Sequence, residues 1–154
     1  MDREDVRTFV NAYCKLRDIQ FAAYEMYARK HHLTSKELFV LDLIWFSENG
    51  CFQSELCDRL SATKQTVSAI VGKFQRLGYV SLSGSESDRR NKRIRLTEAG
   101  RQYAERIIQP AADAEIDAMA ELCDGDIQEL VRLTTLFSGS MSRRFAQIHE
   151  GGNG

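Results

Sequence analysis

The chain has one proline in 154 residues. Proline ends helices from within, so its scarcity lets long stretches run as uninterrupted helix. Also missing is any apolar run near the about eighteen residues that a membrane span requires. The N-terminus, MDREDVRTF, is charged and has no signal-peptide pattern, which points to a cytoplasmic protein that does not meet a membrane. Cys14, Cys51, Cys57 and Cys123 form no CxxC pair and no zinc-like spacing. In a reducing compartment they are expected to be thiols, most of them small buried apolar side chains. There is no GxSxG, HExxH, Ser/His/Asp set or phosphate-cradling glycine loop, so neither an enzyme nor a cofactor is expected. His31 and His32 are adjacent and diverge by about 100° on a helix, a poor pair for a metal. No metal ligand set is expected elsewhere, since His149 is far off in sequence.

Net charge is nearly absent too, at -1, but that total hides an asymmetry. Residues 59–106 hold eleven Lys/Arg against four acids, a balance of +7, which leaves -8 for the remainder. A basic middle between acidic ends suggests a section that binds a polyanion. The densest part is SESDRRNKRIRLTEAG, where Arg89, Arg90, Lys92, Arg93 and Arg95 fall within seven residues. An ordinary solvated face is the competing reading. An exposed ion pair of Asp88 with Arg89 or Arg90 would add only about 0–1 kcal/mol, too little to account for such crowding.

Apolar spacing divides the chain into elements. Val6, Phe9, Val10, Tyr13, Leu16, Tyr24 and Tyr27 recur at helical steps over residues 4–30. Thr34 and Glu37 have the spacing of a capping box, opening a helix whose buried stripe is Leu38, Leu41, Ile44 and Trp45. Gly50 suits a left-handed cap after it. A short helix over 54–60 turns Leu56, Cys57 and Leu60 inward. Thr63 is a good N-cap for the next helix, with a stripe of Val67, Ile70, Val71, Phe74 and Leu77, closed by Gly78. Val80 and Leu82, then Ile94 and Leu96, alternate as two half-buried strands, joined by residues 84–91 as a hairpin loop. Thr97 caps a long helix that Pro110 should kink, and Asp124 caps the last helix. Residues 149–154 read as a disordered tail.

Two short helices and a tight turn, followed by a hairpin, spell a winged helix-turn-helix, whose second short helix lies in the DNA major groove. Opposite that helix's buried stripe lie Gln65, Ser68, Ala69, Gly72 and Arg76, with Lys64 and Lys73 beside them. Gln65 can read adenine with two hydrogen bonds, and Ser68 can reach a base or a phosphate. Ala69 and Gly72 are small enough to permit close approach. Thr63, Lys64 and Thr66 can hold phosphate beside the helix's free N–H groups. At the hairpin tip, Arg90, held by Asp88, is suited to a minor groove. Arg89, Lys92, Arg93 and Arg95 would line the adjacent backbone. The fold class expected is mainly α with a small β-wing, in a single domain. Residues 34–106 form its DNA-binding region, and 1–33 and 107–148 its dimerisation helices.

ELCDRLSATKQTVSAIVGKFQRLGYVSL and SDRRNKRIRLTEAG together resemble the multiple-antibiotic-resistance regulator (MarR) family. The shared pattern is L-x-x-x-L, T-V-S in the recognition helix, L-x-x-G-(Y/L)-V, D-R-R and L-T-x-x-G, over about Leu56 to Gly100. The flanking helices fit in order and length. The resemblance implies a homodimer on a palindromic operator, acting as a repressor released by a small molecule or an oxidant. It assigns wing-tip roles to Asp88 and Arg90 and recognition-helix roles to Thr66 and Ser68. Ala69 stands where many members carry Arg, so a common DNA contact is missing. A dimer would set half-sites about one helical turn, 34–36 Å, apart.

The family's effector pocket points to Tyr13, Arg17, Tyr24, Trp45 and Phe46 as candidate lining, a set that suits a small aromatic acid. Cys14 lies near the position of the reactive cysteine in peroxide-sensing relatives. A low-pKa thiolate there would need cationic neighbours, and Lys15 and Arg17 are close in sequence. Two alternatives are thus a thiol-based peroxide sensor of the same fold and a winged-helix module that binds protein. The cations of the wing argue against the second, since a neutral partner would not use them.

Overall fold

A computed structural model of the chain describes residues 1–83 and 92–150, with side chains in the last helix as far as residue 148. The elements run α1 (Arg3–Lys30), α2 (Ser35–Trp45), β1 (Cys51–Phe52), α3 (Gln53–Leu60), α4 (Lys64–Arg76), β2 (Val80–Ser83), β3 (Arg93–Leu96), α5 (Glu98–Ala120) and α6 (Asp124–Glu150). They divide into two compact units, Met1–Pro110 and Ala111–Gly154. α1 therefore shares a unit with the helix-turn-helix elements.

The helix starts follow their capping chemistry. Asp2 accepts from the Glu4 and Asp5 backbones, and Asp5 reaches back to the Asp2 N–H. Thr34 and Glu37 form the expected reciprocal box, at 3.2 and 2.9 Å. Thr63 Oγ1 accepts from the Thr66 N–H at 3.2 Å. Phe52, which precedes α3, has no capping side chain, and Glu55 satisfies its N–H instead. α4 ends in a Schellman motif: Gly78 takes φ 76°, its N–H donates to Gln75 O, and the Tyr79 N–H donates to Phe74 O. Gly50 is left-handed as expected, at φ 74°. α2 has ended by Trp45, so Gly50 shapes the turn into β1 rather than capping the helix.

The buried core lies among α2, α3, α4, the start of α5 and the sheet, centred on Leu41, Leu56, Val67, Phe74, Ile94 and Ile108. Tyr27 ties α1 to α5 by donating its hydroxyl to Ile107 O at 2.7 Å. The sheet has three strands in the order β1-β3-β2, all antiparallel, with Val80 opposite Leu96 and Cys51 opposite Ile94. The short β1 was not expected.

Several expected positions shift. Leu77 is 53% exposed, because α4 has ended and the stripe with it. Leu82 is 37% exposed, so on β2 only Val80 is buried. Asp124 is the first residue of α6; the residue before it, Cys123, accepts the first helical bond from Ile127 N–H. α5 runs through Pro110 as one helical element. Of the cysteines only Cys51 is buried; Cys14 and Cys57 are half-buried and Cys123 is exposed.

Candidate nucleic-acid interface

α4 presents two faces. Val67, Ile70, Val71 and Phe74 enter the core, while Gln65, Ser68, Ala69 and Arg76 are exposed and Thr66 and Gly72 half-buried. The amphipathic period thus brings the expected recognition residues onto one outward face. Its N-terminal turn carries no acidic side chain, whereas the first turns of α1, α2, α3, α5 and α6 each carry at least one. The positive end of the helix dipole is therefore not neutralised from within, which is the condition for holding an anion there. Thr63 and Thr66 pair their hydroxyls at 2.9 Å, each leaving capacity for a further partner.

Between this face and the wing lies a hollow of about 460 Å³, lined by Gln53, Lys64, Ser68, Gly72, Gln75 and Lys92, among others. Lys92 and Lys64 place positive charge at its rim. Gln53 enters from the first turn of α3 and donates through Nε2 to Lys64 O at 3.0 Å and to Ser68 Oγ at 2.6 Å. Sequence spacing did not single out Gln53, because its contacts lie eleven and fifteen positions away. Its place at the start of a helix facing the turn was the only cue.

Three expected contacts are engaged within the chain. Lys73 Nζ pairs with Glu37 Oε1 at 2.7 Å and ties α4 to α2. Burial pushes the Glu37 carboxyl up, but hydrogen bonds from Lys73 and from the Thr34 backbone, with the lysine charge, bring it net below its ordinary value. Arg93 stacks over the Phe52 ring at 4.5 Å and reaches Gly50 O at 3.4 Å. Arg95 Nε donates to Asn49 O at 3.0 Å. These two arginines hold residues 49–52 against β3, which is how β1 joins the wing. Asp88, Arg89 and Arg90 lie outside the described residues.

Phe46 is 62% exposed and lines a cavity of about 720 Å³ with Asp42, Leu43, Ser47, Cys51, Glu55, Leu56, Asp58 and Arg59. Tyr13, Arg17, Tyr24 and Trp45 are not part of that lining. Tyr24 packs edge-on to Phe39, and Arg17 pairs with Asp18 at 3.0 Å. Arg17 lies in the helix turn of the half-buried Cys14 and donates to Asp18. Burial, reinforced by the negative charge of Glu55, pushes the Cys51 thiol up to about 11, which makes it inert at neutral pH. Among the described residues there is no His/Cys/Asp/Glu cluster that could hold a metal, and no helix is long and apolar enough to cross a membrane.

Residues 31–91 match the MarR family. The transcriptional activatory protein BadR of Rhodopseudomonas palustris is 31% identical over 62 residues, 40% of this chain and 35% of that protein, so the match spans about a third of the relative. A MarR family regulator from Neisseria meningitidis has a solved structure that matches at a TM-score of 0.73 and 21% identity, over 96% of this chain and 99% of that one. Staphylococcus aureus MarR, in complex with salicylate and kanamycin, matches at 0.74 and 15%, over 92% and 95%. S. aureus MepR in complex with DNA matches at 0.67 and 20%, over 82% and 97%. At such identities the solved structures speak for the fold, and the family match covers the segment that carries the helix-turn-helix. The chain thus matches the MarR family over residues 31–91, the segment that carries the helix-turn-helix, and shares the winged helix-turn-helix fold of solved MarR structures over nearly its whole length.

Proposed function

We propose that the protein is a homodimeric repressor that occupies a palindromic operator in the cytoplasm, with α4 in the major groove and the wing against the flanking minor groove. The observation that carries this is the outward face of α4: polar and small side chains, an acid-free first turn, and Lys64 and Lys92 beside it. Gln65 and Ser68 read base edges; Thr63, Lys64, Thr66 and Arg76 hold phosphates; Ala69 and Gly72 allow close approach. Asp88, Arg89 and Arg90 extend the contact from the wing. Lys73 and Arg93 contribute positive potential from behind their internal partners.

Release by a small aromatic effector is supported by the S. aureus relative in complex with salicylate, and Phe46 lines a cavity of about 720 Å³. The oxidant alternative rests on Cys14, which is half-buried on α1 near Arg17.

A salt titration tests the DNA reading. Binding of the full chain to a duplex selected from a random pool should weaken steeply with salt, the logarithmic slope being about -0.9 for each phosphate neutralised. A flat dependence between 50 and 200 mM, roughly the range over which such contacts lose most of their strength, would remove it.

A further inference from the structure

We infer that Gln53 is a positioning residue for DNA recognition, which fixes Ser68 as a hydrogen-bond donor toward the groove. The inference rests on the DNA reading above and adds to it a residue outside α4.

The geometry settles the orientation of the Gln53 amide. Lys64 O is a carbonyl and can only accept, so the Gln53 atom 3.0 Å from it must be the amide nitrogen. That same nitrogen lies 2.6 Å from Ser68 Oγ and has a second proton to give. Ser68 Oγ therefore accepts from Gln53. A serine hydroxyl in solution turns freely and serves either as donor or as acceptor. With a lone pair taken from the α3 side, the hydroxyl of Ser68 is biased to direct its proton away from Gln53. Ser68 is exposed, on the face that α4 shares with Gln65 and Gly72.

The consequence is a restriction on what Ser68 recognises. It favours acceptors: N7 or O6 of guanine, N7 of adenine, O4 of thymine, or a phosphate oxygen. One lone pair of Oγ is left, so the result is a preference for acceptors over the amino groups of cytosine and adenine rather than an exclusion of them. Gln53 also bonds the carbonyl of the first residue of α4, so one side chain ties the opening of α3 to the opening turn of the recognition helix. The two helices of the helix-turn-helix are thereby held in one register where the groove is met.

The test is a double-mutant cycle on the full chain with Gln53→Met, Ser68→Ala and the double variant. Binding is measured by fluorescence anisotropy on a duplex selected from a random pool by the parent, and on a random-sequence duplex of equal length. Circular dichroism melts confirm that each variant folds. Gln53→Met should weaken binding to the selected duplex by roughly two- to tenfold, the scale of one hydrogen bond. Ser68→Ala should do the same, and the double variant should lose clearly less than the two single losses combined, since the contact to Ser68 is shared while the bond to Lys64 O is not. A purely structural Gln53 would instead give additive losses, which overturns the inference. Parent-like binding by Gln53→Met also overturns it. A selective loss on the selected duplex places the acceptor on a base; equal losses on both place it on phosphate. A parent that binds neither duplex overturns the DNA reading itself, and this inference with it.

Discussion

Lys73 lies on the helix assigned to DNA, yet its ammonium is 2.7 Å from Glu37 Oε1, with the carboxylate side chain 12% exposed and the lysine 38%. Removing the lysine leaves a mostly covered carboxylate that still accepts from the Thr34 backbone N–H. Lys73→Met should therefore cost about 1 kcal/mol at neutral pH, since the pair is only partly shielded from water. The pH dependence has a definite sign. Burial raises the Glu37 carboxyl, but Lys73 and Thr34 together bring it below 4.5 in the folded chain. A depressed carboxylate contributes stability above its unfolded value and loses it as pH falls through the folded one. Urea denaturation should show the gap between parent and variant constant near pH 7 and closing as the solution is acidified through and below 4.5. A gap that persists in acid would mean that the lysine stem, rather than its charge, supports α2. The helical wheel placed Lys73 beside the recognition face correctly; its partner lies 36 positions away, where no local pattern reaches.

At the scale of elements, the L-T-x-x-G run has a structural explanation. Thr97 N–H donates to Tyr79 O, and Thr97 Oγ1 donates to Gly78 O at 2.6 Å while accepting from Gly100 N at 3.0 Å. This knot fixes the entry of α5 against the end of α4. Gly100 is required by space: a Cβ there would sit 1.9 Å from Tyr79 O, which is backbone and cannot swing aside. Gly100→Ala should destabilise by about 2–3 kcal/mol, as overpacking does. Gly72 is the internal control, since a Cβ there meets only the far end of Arg76 at 3.5 Å. Gly72→Ala should stabilise by about 0.5–1 kcal/mol through helix propensity. Paired thermal melts check both, and equal shifts in one direction would contradict the distinction. The helices were legible because apolar spacing and caps such as Thr34 and Thr63 are local signals. β1 was not, because two residues cannot alternate and their pairing depends on Arg93 and Arg95, more than forty positions on. Gln53 was hidden for the same reason. The outward face of α4 was legible since a single helix period defines it.

For the whole molecule, the unpartnered apolar surface sets the next constraint. α1 leaves Phe9, Leu16 and Ile19 exposed, and α6 leaves Leu136, Phe145 and Ile148 exposed. α6 spans 27 residues and, among the described residues, contributes none to the buried core, which a stable amphipathic helix in water does not ordinarily do. An apolar stripe left exposed along a single long helix such as α6 marks an interaction surface. In the proposed homodimer a second copy covers it, since a two-fold axis would pair the same stripe with itself and match the symmetry of the proposed palindromic site. The sequence that leads into α6 carries Asp113, Glu115, Asp117, Glu121, Asp124, Asp126 and Glu129, a negative charge that disfavours DNA there. Sedimentation should therefore give twice the 17.6 kDa of one chain. Leu136 is 59% exposed in the single chain, so Leu136→Asp removes little from its internal packing. If the stripe is the interface, this variant should sediment as a monomer, lose the rise of Tm with protein concentration that the parent shows, and bind a two-half-site duplex more weakly. A variant that remains dimeric with the parent's Tm would move the interface off this face of α6 and leave α1 to carry it.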